Sequence, residues 1–90
     1  MKRYMIYVEG RVQGVGFRWF CQTCAIEHHL TGTVCNLSNG MVEVFAQGEE
    51  KNLDLFISDL RRGSQFSSVE DVYYKECELK ENEKSFKVVY

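Results

Sequence analysis

The sequence contains no proline, against seven glycines. No Pro-rich linker divides it, and its turns must be made by Gly, Asn and Ser. It lacks an excess of positive charge as well: 11 Lys and Arg face 13 Asp and Glu, for a formal net charge of −2. That balance argues against a binder of bulk nucleic acid, which carries a basic face. Long apolar runs are missing. An uncharged run such as Trp19 to Ile26 falls far short of the ~20 residues a membrane-spanning helix needs. The N-terminal Met1-Lys2-Arg3-Tyr4 starts basic, but Glu9 and Arg11 interrupt the apolar stretch that a secretory signal requires. Cysteine is sparse and scattered, at positions 21, 24, 35 and 77. Nothing else points to a small secreted disulfide scaffold, so the expected compartment is the reducing cytoplasm.

What is present is enough for one core. Ninety residues, 44% of them hydrophobic and 27% charged, bury roughly 60–65% of the surface the unfolded chain exposes. Residues 1–90 therefore read as a single domain. Met1 to Val12 alternates Tyr4-Ile6-Val8 against Met5-Tyr7-Glu9, a strand that is apolar on both faces and so belongs inside a sheet. Gly14 and Gly16 break it. From Phe17 the apolar positions are Phe17, Phe20, Cys21, Cys24, Ala25 and His28, one face of a helix, with Gly32 expected as its C-cap glycine. Thr33–Leu37 and Met41–Gln47 flank Ser38-Asn39-Gly40, and the Asn-Gly pair predicts a hairpin with a type I′ turn. A second helix starts acidic (Glu49, Glu50, Asp54) and ends in Arg61-Arg62-Gly63, with the stripe Leu53, Phe56, Ile57 and Leu60. Val69–Leu79 and Ser85–Tyr90 read as two further strands, joined by a solvated turn over Lys80–Lys84. The order is β-α-β-β-α-β plus a short C-terminal strand. That is the α+β, ferredoxin-like sandwich, with an antiparallel sheet and two helices on one face. The fold hosts many unrelated functions and decides no chemistry by itself.

The informative segment is Gly10-Arg11-Val12-Gln13-Gly14-Val15-Gly16-Phe17-Arg18. It joins a strand to a helix through two glycines and places an arginine in the first helical turn. Residues without a Cβ let backbone N–H groups converge, and the helix adds its own unpaired N–H groups and positive end. Such a concavity binds a tetrahedral anion, to which Arg18 can add a bidentate fork. An ordinary tight turn with a surface arginine reads equally well at this point. The segment lacks the Lys-Ser/Thr pair of a P-loop and the third glycine of a dinucleotide fingerprint. No acidic cluster calls for magnesium.

Val8-Glu9-Gly10-Arg11-Val12-Gln13-Gly14-Val15-Gly16-Phe17-Arg18 resembles the signature of the acylphosphatase family along its full length. Gly32-Thr33-Val34-Cys35-Asn36, Gly40-Met41-Val42 and Gly48 are similar to that family's other pattern, and Leu60-Arg61-Arg62-Gly63 and Phe86-Lys87-Val88-Val89-Tyr90 extend the likeness over the chain. The resemblance implies hydrolysis of the carboxyl-phosphate anhydride of acyl phosphates, without metal or cofactor. It implies that Arg18 and the backbone amides of Gln13, Gly14, Val15, Gly16, Phe17 and Arg18 hold the phosphoryl group, and that Asn36 positions the attacking water. The expected partners are a small acyl phosphate as substrate and inorganic phosphate as product and inhibitor. Nucleic acid and membrane are not expected, and the protein is expected to be a monomer. The alternative is a non-catalytic module of the same fold that recognises phosphate or carbamoyl phosphate within a larger protein. The 90-residue length favours the enzyme. Thr33 stands where the family favours an aromatic, and Cys35 where a long side chain is common. By strand alternation both point away from the Asn36 face. Ser38 and Ser64-Gln65 stand where the family has prolines, which affects turn stiffness more than chemistry.

Other features have plainer readings. Cys21-Gln22-Thr23-Cys24 has C-x-x-C spacing, but both thiols lie on the apolar stripe a turn into the helix, so they read as buried structural cysteines. A zinc site would need Cys21, Cys24, His28 and Cys35, a spacing that fits no standard pattern. His28 reads as a core-edge histidine and His29 as a solvent-facing one. Tyr73, Tyr74, Phe45 and Phe66 read as sheet and core packing, since the signatures of an RNA-stacking platform are absent.

Overall fold

The period-2 pattern at the N-terminus forms strand β1 (Lys2–Arg11) in a computed structural model that describes residues 1–90. Tyr4, Ile6 and Val8 are buried, while Met5 and Tyr7 are half-buried on the opposite face. Helix α1 (Phe17–Glu27), β2 (Thr31–Asn36), β3 (Val42–Gly48), α2 (Glu50–Arg62), β4 (Ser68–Cys77) and β5 (Phe86–Val89) follow. The strands form one five-stranded sheet in the order β4-β1-β3-β2-β5. β1 pairs antiparallel with β3 and β4, and β2 antiparallel with β3, whereas β5 lies parallel to β2. The ferredoxin-like α+β architecture is thus present, and the C-terminal strand makes its otherwise antiparallel sheet a mixed one.

The helices bury the stripes that their sequence periods indicate. α2 buries Leu53, Phe56, Ile57 and Leu60, each worth roughly 1.5–3 kcal/mol of transfer free energy. Its first turn carries Glu50 and its last turn Arg61 and Arg62, charges that suit the helix dipole. α1 buries Phe17, Cys21, Cys24 and Ala25, and these pack into one core with Ile6, Val34, Val44 and Phe86.

Four local expectations change. Gly32 does not cap α1. The helix closes earlier, through His29 in the left-handed region (φ 58°), with Leu30 N–H donating to Ala25 O at 2.9 Å and His29 N–H to Ile26 O at 3.1 Å. That is a Schellman closure made without glycine. Gly32 instead sits inside β2 at φ 153°, where a Cβ would lie 1.7 Å from Phe45 O, so close backbone approach demands glycine there. In the hairpin only Gly40 has positive φ; Gly40 N–H donates to Leu37 O at 3.1 Å and Asn39 Oδ1 accepts from Met41 N–H at 3.0 Å. The connection is therefore a longer turn ending in one left-handed glycine, and the type I′ expectation is corrected.

The Lys80–Lys84 segment is not simply solvated. The Glu83 side chain is buried and paired with buried Arg3 at 2.8 Å and 3.3 Å, and accepts from Thr31 Oγ1 at 2.8 Å. Gln47 grips the Lys80 backbone on both sides, accepting from its N–H at 2.8 Å and donating to its O at 3.1 Å. Phe66 departs as well: it is exposed and forms no part of the core. The other aromatics pack on the sheet, Tyr74 against Tyr4 (centroids 5.2 Å apart) and Phe45 beneath the Arg3 guanidinium (5.3 Å).

Candidate active site

The β1–α1 crossover owes its shape to two glycines. Gly14 (φ 73°) and Gly16 (φ 76°) both occupy the left-handed region, and a Cβ on either would meet nothing within 4 Å. Conformation, not space, selects glycine at both. Gly16 is also the N-cap of α1 and offers no side-chain oxygen to the helix, and the first turn carries no acidic residue. The N–H groups of the opening turn and the positive end of the helix dipole are thereby left for an external acceptor. α2 contrasts with this, because Glu50 already supplies the negative charge at its start.

The loop forms one wall of a cleft of about 590 Å³ lined by Val12, Gly14, Gly16, Phe17, Arg18, Trp19, Gln22, Asn36, Lys87, Val88 and Tyr90. Of the sequence-predicted residues, Gly14, Gly16, Phe17, Arg18 and Asn36 meet here. Gln13 and Val15 are not among the wall residues. Val15 packs against the core. The Gln13 side chain donates from Nε2 to Leu37 O at 2.8 Å and to Met41 O at 2.9 Å, stapling the loop to the β2–β3 hairpin beside Asn36.

Register explains how Asn36 reaches the cleft. It pairs with Val42, on the same face as Val34, while Thr33 and Cys35 face the other way. Asn36 Oδ1 is buried and has no hydrogen-bond partner within the protein, an unusual state for a buried acceptor. Arg18 has no ion-pair partner either; its guanidinium lies over the Tyr90 ring, 4.4 Å from the centroid, in cation–π contact. Lys87 supplies a second cation. No Asp, Glu, His or Cys lines the cleft, and no group of three or more such residues that could hold a metal occurs in the molecule. The result is a locally positive site in a chain of net negative charge.

Lys87, Val88 and Tyr90 were invisible as site residues in the sequence because only the parallel β2–β5 pairing brings the C-terminal strand to the loop. Trp19 and Gln22 could have been found from helical spacing alone. They lie three apart, so they share a helix face, and Gln22 Nε2 donates to Phe86 O at 3.0 Å.

The cysteines stand outside this chemistry. Cys21 and Cys24 are free and buried. Burial pushes the Cys21 thiol well up, and burial with the nearby Asp59 and Glu27 carboxylates pushes Cys24 up to about 11. Cys35 donates to Glu43 Oε1 at 3.6 Å and is raised by burial and by that carboxylate. None is an activated thiolate. His28, at the core edge, contacts Asp59 across the helix pair (Nε2 to Oδ2, 2.7 Å).

Fold and site together define a ferredoxin-like α+β sandwich with an anion-receptive strand-to-helix loop. The acylphosphatase family profile matches residues 4–88. An acylphosphatase of Clostridium acetobutylicum is 52% identical over 90 residues, covering 100% of this chain and 99% of the relative. The crystal structure of acylphosphatase from Bacillus subtilis superposes with a TM-score of 0.95 at 43% identity, covering 100% of both chains. The structure of T. kodakarensis HypF matches with a TM-score of 0.87 at 34% identity, covering 100% of this chain but 12% of that one. The chain belongs to the acylphosphatase family, hydrolases that act on small acyl phosphates.

Proposed function

We propose that the cleft hydrolyses the carboxyl-phosphate bond of acyl phosphates by direct attack of water, with Arg18 and the amides of residues 13–18 holding the phosphoryl group and Asn36 orienting the water. The observation that carries this reading is the presence in one cleft of a cation without an ion-pair partner, Arg18, and an unpartnered buried acceptor, Asn36 Oδ1. A phosphoryl group satisfies the first and a water O–H the second.

The chemistry suits a site without an acid or base residue. Water oxygen bonds to phosphorus as the bond from phosphorus to the acyl oxygen breaks, and the electron pair leaves with the carboxylate. The conjugate acid of that carboxylate has a pKa of about 4, so it departs without a general acid. The proton of the attacking water passes to a phosphoryl oxygen of the substrate. What remains for the protein is to clamp charge and align the nucleophile. Lys87 adds to the field that draws the anion in.

The match to 12% of the HypF chain, this fold carried as one segment of a larger protein, motivates a second reading, a non-catalytic recognition module. Turnover of benzoyl phosphate in the presence of a chelator separates the two. Turnover is expected, inhibited competitively by inorganic phosphate, with kcat/KM falling at least ~10²-fold in Arg18→Ala and in Asn36→Ala. Phosphate binding without turnover would establish the module instead, and full activity in Arg18→Ala would refute the assignment.

A further inference from the structure

We propose that Trp19 and the end of β5 form an acyl subsite that selects acyl phosphates with a planar aromatic acyl group. The inference rests on the phosphoryl assignment above. In-line displacement places the leaving group on the side of phosphorus opposite the attacking water. With water held at Asn36 and phosphate on the loop, the acyl group meets the remaining walls: Trp19, Gln22, Lys87, Val88 and Tyr90. Gln22 commits one of its two side-chain N–H groups to Phe86 O, which holds its amide against β5. The Trp19 ring has no aromatic or cationic partner, and the Tyr90 ring is engaged on one face only, by the Arg18 guanidinium at 4.4 Å. Trp19 is 68% exposed and Tyr90 96% exposed, although α1 buries other aromatics within the same turn, such as Phe17. Single exposed aromatics are unremarkable on a surface, but two on the walls of one cleft, with half-buried Val88 between the loop and the chain end, form an apolar mouth beside a cationic floor. A rigid ring entering it gains stacking without losing rotamer freedom. A methyl group gains neither.

The test compares kcat/KM for benzoyl phosphate and acetyl phosphate. The wild type is expected to favour benzoyl phosphate by about tenfold, the equivalent of one aromatic contact. Trp19→Ala should abolish most of that ratio and Trp19→Phe restore it; a merely structural role for Trp19 would lower both substrates together and leave the ratio alone. Trp19 is the only tryptophan in the chain, so its emission gives a second readout that needs no turnover. Benzylphosphonate should shift or quench it at saturation, and methylphosphonate should not. A ratio near one in the wild type, or a ratio unchanged in Trp19→Ala, overturns the subsite while leaving the hydrolase intact. If neither substrate turns over, the proposed reaction fails and the phosphonate titration alone decides the subsite, identical responses to both phosphonates refuting it.

Discussion

Removing the Glu83 carboxylate should be among the most damaging single changes outside the core. In Glu83→Ala the Arg3 guanidinium stays where it is, with only 8% of its side chain exposed. It loses contacts of 2.8 Å and 3.3 Å and keeps one at 3.2 Å to Gln47 Oε1, plus the Phe45 ring. An orphaned buried charge of this kind costs about 3–5 kcal/mol, a large share of the roughly 5–15 kcal/mol that holds a domain folded. With 1 kcal/mol moving the melting temperature of a domain this size by about 4–8 °C, Tm should fall by at least ~12 °C. Urea unfolding should show the same loss as a lower midpoint at unchanged slope. Replacing both partners, Arg3→Met with Glu83→Leu, should recover most of the stability, because no charge is then left buried. A Glu83→Ala loss below ~1 kcal/mol, the value of an ordinary surface pair, would refute the view that this network anchors the segment leading into β5.

Three further outcomes are expected. Gln13→Ala removes two hydrogen bonds between loop and hairpin, so stability should drop by about 1–2 kcal/mol and kcat should fall more than KM rises; steady-state kinetics with an unchanged kcat would count against the staple. Lys87→Ala should weaken inhibition by inorganic phosphate and flatten its dependence on ionic strength, since it removes one of two cations at the mouth; identical salt profiles would exclude Lys87 from the field. The Cys24 thiol is pushed from its ordinary value of 9.0 up to about 11 in the folded state, so the folded protein binds more protons than the unfolded chain between those values. Its contribution to stability is full below pH 9 and is lost as pH rises through 11; urea midpoints should decline over that range, less so in Cys24→Ala.

The parts of the fold set by local pattern were legible. The stripes of both helices, the interior β1 and the glycine loop follow from period, dipole and backbone freedom, and the resemblance of the loop and of Gly32–Asn36 singled out Arg18 and Asn36, which line one cleft. The Gly32 expectation failed because a helix end and a close strand crossing both call for glycine, and the competing cap was a histidine, a residue that gives no C-cap signal. Glu83 was hidden because a charged residue in a polar turn looks solvated until its partner, Arg3, arrives from the other end of the chain. Lys87, Val88 and Tyr90 were hidden for the same reason. Pairing between distant strands is a tertiary outcome, and no window along the chain contains it.

The parallel β2–β5 pairing has a consequence for how the site holds together. β5 is an edge strand of four residues with a single neighbour, yet it supplies one whole wall of the cleft. On the proposed function, the wall that closes on the ligand is thus the part of the sheet with the least support, the kind of segment that opens before the rest unfolds. Anything bound between loop and β5 must be released when that edge peels away, so occupancy and edge opening oppose each other through linkage. Saturating phosphate should therefore slow amide exchange at the β2–β5 seam more than at the β1–β3 seam in mid-sheet. The cleft behaves as a clasp, and its ligand is the pin.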